Sequence, residues 1–167
     1  MSLRSWFEWI DAFPSSIAIR ESLYGYPYLL TSHAVTMALF AGLIVMMDLR
    51  LLGVAYRRTP LSQVQKHLFP WQMFTMALAS VTGLVLFYSQ PMRYYGKVFF
   101  WVKMALMVVA GVNAVYFHAT TYRSVAAWDT SPAPPLGARL AGGFSLALWA
   151  GVVVFGRITA YHWFTYE

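Results

Sequence analysis

Four apolar runs, each long enough to cross a lipid bilayer, dominate the chain: residues 29–53, 68–90, 97–120 and 137–163. A crossing takes about 20 residues. In hydrocarbon an unpaired backbone N–H or C=O has no water to bond, so open strands are excluded and the runs are helices. Short connections favour antiparallel neighbours. Of the 167 residues 59% are hydrophobic and only 11% charged, against about 25% charged in a soluble domain. A soluble fold of this size could not hide so much apolar surface. The expected fold class is all-α: an integral membrane up-and-down four-helix bundle (29–163), with an N-terminal interfacial amphipathic helix (1–28) before it and a short tail (164–167) after it.

Lysine and arginine placement sets the orientation. Arg50, Arg57, Arg58, Lys66, Arg123 and Arg139 fall on one side, whereas Arg4, Arg20, Arg93 and Lys97 share the other with Glu8, Asp11, Glu21 and Glu167. The positive-inside rule then puts the first and third loops in the cytoplasm and both termini in the periplasm of a bacterial inner membrane. The stretch "RSWFEWIDAF" is too charged for a signal peptide. Its Trp6, Trp9, Ile10 and Phe13 recur at helical spacing, which predicts a helix lying on the membrane boundary and ended by Pro14. Thr59 and Pro60 read as N-cap and first residue of the second span, and Pro70 predicts a kink within it.

The chain has no cysteine, which excludes disulfides and thiolate-bound metal or iron–sulfur centres. The net charge of +6 is spread over loops between apolar runs, a topological pattern rather than a nucleic-acid face. No carboxylate pair, Ser-His-Asp set or phosphate loop is recognisable.

The four histidines carry the chemistry. His33 and His162 fall near the periplasmic ends of spans one and four; His67 and His118 fall near the cytoplasmic ends of spans two and three. With neighbours in simple order, each pair faces across a helix contact. Two inward imidazoles from different helices suit six-coordinate haem b, and two haems would stand about 20 Å apart along the membrane normal. Gly111 shares the face of His118, and Gly151 that of His162, leaving room for a flat macrocycle or, alternatively, for close helix packing. The competing reading is that each histidine simply reaches the headgroup region.

Lys103 and Arg157 lie within spans three and four without a carboxylate at their level. Intramembrane charges usually face the bundle interior and a partner, which suggests a haem propionate, a quinone or another anion; the alternative is snorkelling to the interface. Asp48 is the one acid inside a span and reads as half of an ion pair with a nearby arginine, or as an orienter of His67 or His118. Met73/Met76 and Met104/Met107 each share a helix face, compatible with copper handling and equally with core packing.

The segments "DLRLLG" (48–53), "HLFPW" (67–71), "TGLVLF" (82–87), Lys103, "AGVNAVYFH" (110–118) and "GRITAY" (156–161) resemble a family of small four-helix bacterial inner-membrane proteins of unknown function. The layout is also similar to that of small di-haem b-type membrane cytochromes. The family resemblance implies the four-helix topology and no activity. His33, His67, His118, Lys103 and Arg157 fall on positions of that pattern, and His162 does not, which favours His67 and His118 as a ligand pair.

The expected function is electron transfer by a membrane b-type haem protein between a quinone or membrane dehydrogenase and a periplasmic partner. The alternative is a non-redox membrane protein: a small-ion or copper transporter or channel, or an accessory subunit of a larger complex or homo-oligomer. Either reading makes an electron-transfer or accessory role more natural than a stand-alone enzyme.

Overall fold

The computed structural model describes residues 3–161. Four helices are long and apolar enough to span a membrane: α3 (Gly25–Leu51), α4 (Leu61–Ser89), α6 (Val98–Ala119) and α7 (Leu136–Ile158). No strand occurs among the described residues. Two short helices, α1 (Leu3–Asp11) and α2 (Pro14–Glu21), precede them, and α5 (Pro91–Tyr95) lies between α4 and α6. The protein is therefore an all-α, multi-pass membrane protein. Its first two spans begin earlier than the apolar runs, at Gly25 and Leu61, because polar first turns add helix without adding hydropathy.

The far end of the bundle, holding the α3–α4 turn and the α6–α7 connection, contains the buried apolar cluster of Met47, Leu51, Leu61, Val64, Phe117 and Ala138. Arg50 fastens the loops around it. Its side chain is fully buried and donates to the carbonyls of Thr59 (2.9 Å), Asp129 (3.0 Å) and Ser131 (3.3 Å). Gly53, at φ 71°, turns the chain beneath that loop, and a Cβ there would stand 3.0 Å from the Pro132 carbonyl oxygen.

The cap of α4 differs from the sequence expectation. Pro60, not Thr59, is the N-cap residue and supplies no side-chain bond. Asp129 caps the helix from 67 residues away, accepting from the Ser62 amide (2.7 Å) and hydroxyl (2.6 Å). Distance along the chain is immaterial to a cap, which needs only an acceptor at the orphan N–H groups. Desolvation works to raise the Asp129 pKa, but the Ser62 bonds and the Arg50 charge together hold the carboxyl below its ordinary range. That stabilisation is complete above the unfolded carboxyl value of about 4 and is lost as pH falls through the lower folded value. Asp129→Ala should cost about 1–2 kcal/mol near neutrality, with the gap to wild type closing in acid. Detergent unfolding curves at several pH values check this, and a gap that widens below pH ~4 would contradict the cap.

At the near end, Pro14 opens α2 rather than closing a single leader helix; proline has no N–H to lose at a first helical position. Ser16 is fully buried and donates to the Tyr88 (3.0 Å) and Ser89 (3.2 Å) carbonyls at the end of α4. Phe7 is the buried residue of α1, packed on Phe87 and Tyr95, while Trp6 and Trp9 stay exposed. The aromatic face of the leader is thus divided between bundle and membrane boundary. Lys97 is buried and donates to the Thr159 carbonyl at 2.6 Å, placing a cation on the orphan carbonyls ending α7. Burial, with Arg93 adding to it, pulls the Lys97 pKa below the lysine range.

The simple neighbour order holds for three of its four contacts, spans one and four among them, and the departure lies in the fourth. Helix α3 packs on α4 and on α7, and α7 packs on α6, through contacts such as Phe40–Trp149 (4.9 Å) and Phe99–Phe155 (5.6 Å). Spans two and three, α4 and α6, do not pack along their lengths. They meet only at their ends: Phe87 stacks on Phe100 at 5.5 Å, and Gln65 bonds His118 at 2.9 Å. The four spans form an arc, α4–α3–α7–α6, whose two edges face each other across a gap. From Gln65 to Phe87 the gap is about 33 Å tall at 1.5 Å rise per residue, the full depth of a bilayer core.

Candidate functional site: a cavity within the bundle

The arc encloses a cavity of about 1560 Å³ that runs from Phe7 and Tyr94 at the near end to His118 and Arg123 at the far end. Drug-sized sites occupy roughly 300–1,000 Å³, so this one accommodates a larger molecule. Its wall is overwhelmingly apolar, and six methionines line it: Met37, Met47, Met73, Met76, Met104 and Met107. The two paired methionine faces of α4 and α6 thus look onto the gap. Thioethers on flexible unbranched chains give a wall that reshapes around an occupant.

His33 lies in the half of the cavity towards the near end, half-buried on α3. Its Nδ1 is 3.0 Å from the Thr82 hydroxyl on α4. With that hydroxyl directed to the Leu78 carbonyl at 2.7 Å, the tautomer that suits the contact carries hydrogen on Nδ1. Neutral His33 then keeps its lone pair on Nε2. Gly83 makes room for the ring: a Cβ there would be 2.9 Å from His33 Cε1. A donated Nδ1–H with a free Nε2 is the arrangement of a metal-ligating histidine with its outer-shell partner in place.

Lys103 reaches the same region from α6, lying against Gly156 of α7 and near enough to His33 for an electrostatic interaction. Among the described residues it forms no ion pair. Tyr94 closes the near end; burial and then the neighbouring Tyr26 push its phenol up to about 12, so it stays a neutral hydrogen-bonding group.

The far histidines do not form a pair around this space. His118 lines the cavity, but its Nδ1 is 2.8 Å from the Ala114 carbonyl and its Nε2 is taken by Gln65. It is one half of the latch joining α6 to α4. His67 is exposed, with Nδ1 2.7 Å from its own helix's Gln63 carbonyl, and does not line the cavity. Gln65 and His67 are two positions apart on one helix, about 200° around it, so only one can face the gap. His162 lies outside the described residues. Arg157 is exposed, 5.7 Å over the Tyr161 ring, and is not part of the cavity wall. Gly111 faces open cavity, with nothing within 4 Å of a Cβ built on it. Gly151 meets Leu106 at 3.0 Å and serves the α6–α7 contact.

Thr82 and Gly83 entered from sequence only as the start of the "TGLVLF" segment, with no role assigned, and Gln65 was not singled out. A glycine beside a threonine within an apolar span was the available signal for the first two, but which helix they face is set by packing. Asp48, read as an ion-pair member, is 4% exposed and has no salt bridge among the described residues. Arg50, two positions on, turns away to the loops.

Fold and cavity define a small multi-pass membrane protein with a large apolar cavity between its helices. The chain belongs to a family of unknown function, DUF6644, whose sequence profile matches residues 6–162. No curated protein and no solved structure matches it.

Proposed function

We propose that the protein binds haem b in the near half of the cavity and transfers electrons within the membrane. The observation that carries this reading is His33: an imidazole with Nδ1 committed to Thr82 and Nε2 available, set in a large apolar space. Lys103 is the natural partner of a propionate, and its unpaired ammonium needs an anion. Met104 or Met107 on α6, which line the same cavity, would hold the group together with His33; His162 is the further candidate from sequence and lies outside the described residues. Imidazole with thioether is an established haem ligand set. In this reading the near end faces the periplasm of a bacterial inner membrane, and a periplasmic protein exchanges electrons with the haem. His67 and His118, the pair favoured by sequence, become secondary because their imidazoles do not converge on the cavity.

The gap between α4 and α6 supports a second reading, a quinone. A lipid-dissolved ligand could enter sideways, place its ring oxygens at His33 and Lys103, and run its tail along the methionine wall.

Colour separates the two. Purified protein should show a Soret band and a positive pyridine haemochrome, both lost in His33→Ala and retained in His67→Ala. Colourless protein that also fails to bind added haemin would end the haem reading, and solvent extraction would then test for quinone.

A further inference from the structure

The far half of the cavity has a different character. Asp48 from α3, Gln65 from α4, Asn113 from α6 and Ser145 from α7 all line it, one polar side chain from each span. Asp48 is 4% exposed and shares this part of the cavity wall with Ser145, and its Oδ2 has no partner among the described residues. Gln65 spends its amide N–H on His118, and its buried Oε1 is also without a partner. Asn113 donates to the Ala141 carbonyl at 3.1 Å, leaving its amide oxygen as an acceptor. Each amide has one N–H committed, and the buried atoms left without a partner on these side chains are two oxygens, Asp48 Oδ2 and Gln65 Oε1.

An unpaired carboxylate in a membrane interior is costly enough to mark a functional position. Burying two acceptor oxygens without donors adds to that cost. A cation resolves all of this at once. Oxygen-only donors select a hard cation. A single carboxylate balances one positive charge, whereas a divalent ion would leave a net charge buried, and no group of three or more His, Cys, Asp or Glu occurs among the described residues. We infer that Asp48, with Gln65, Asn113 and Ser145, forms a binding site for a monovalent cation of the sodium class. Neither haem nor quinone is needed for this site, which lies about 22 Å below His33 along α3 at 1.5 Å per residue.

The test is thermal unfolding of the detergent-purified protein in sodium chloride against choline chloride at equal ionic strength, with lithium and potassium chlorides alongside. Sodium should raise the midpoint saturably, by about 3 °C or more. The rise should vanish in Asp48→Asn, need several-fold more sodium in Ser145→Ala, and be unchanged in His67→Ala. Binding of radiolabelled sodium to wild type, competed by unlabelled sodium but not by choline, gives the same answer if Asp48→Asn does not fold. No saturable rise and no competed binding, or a rise that survives Asp48→Asn, would overturn the inference. So would a response to protons alone, which would make Asp48 a protonation site. Colourless protein that binds no added haemin and still responds to sodium would fail the haem reading and leave the cation site standing.

Discussion

Arg50→Ala should lower the unfolding free energy by about 3 kcal/mol, shifting the midpoint in detergent by roughly 10 °C. Three buried carbonyls, from Thr59, Asp129 and Ser131, lose their donor at once. Removal of the side chain also leaves a hole beside the cluster of Met47, Leu51 and Leu61. The loss should spread, because Asp129 both receives Arg50 through its carbonyl and caps α4 through its carboxylate. Arg50→Lys should recover less than half of the difference, since one ammonium on a flexible stem cannot reproduce the fork of donors. A midpoint within 2 °C of wild type in Arg50→Ala would show that the far-end loops are held by something else.

On the haem reading proposed above, Gly83→Ala should leave stability almost unchanged and yet reduce affinity for haemin by about 10–100-fold. The new Cβ would stand 2.9 Å from His33 Cε1, closer than atoms tolerate. Relief is cheap for the fold, because the imidazole can swing away, but the swing breaks the bond to Thr82 and moves Nε2. Thr82→Val, nearly the same shape without the hydroxyl, should act alike by releasing Nδ1. Titration of the purified variants with haemin, read at the Soret band, measures both. Wild-type affinity in both variants would remove His33 from the site, whereas loss in Gly83→Ala alone would assign the effect to shape rather than to the hydrogen bond.

The two unpaired charges divide the cavity between them. Lys103 offers a cation near one end and Asp48 an anion near the other, and the apolar, methionine-rich length between keeps them from neutralising each other. Their separation along the bundle prevents a direct ion pair, so each can hold its own ligand. The two proposals therefore attach to different residues and can fail independently.

Much of the plan was legible before any tertiary contact was known. Spans, helical class, the aromatic leader and the lone positions of Lys103 and Asp48 all follow from hydropathy and helical spacing, which act locally. Remote partners did not. Thr59 looked like the cap of α4, and Asp129 does that work because folding brings it to the Ser62 amide. Asp48 and Arg50 looked like partners, but a two-residue offset on a helix turns them about 200° apart, one to the cavity and one to the loops.

By itself, the sequence determined that this chain is four membrane helices with a handful of polar side chains at known depths. Hydrocarbon permits no other spanning backbone for runs of this length. Which of those side chains meet was decided only by packing. The neighbour order is the simple one, with α3 against α7 as expected, but the contact that would close α4 on α6 and set His67 beside His118 is open. The edges stay apart, and a cavity forms that gathers His33, Lys103 and Asp48 while leaving His67 outside. Helices that are apolar on every face carry little periodic signal for a neighbour. Their order is set by steric detail, such as Gly142 admitting Leu51 and the Asp48 backbone to within about 3 Å of where its Cβ would be, and small residues at interfaces govern such contacts.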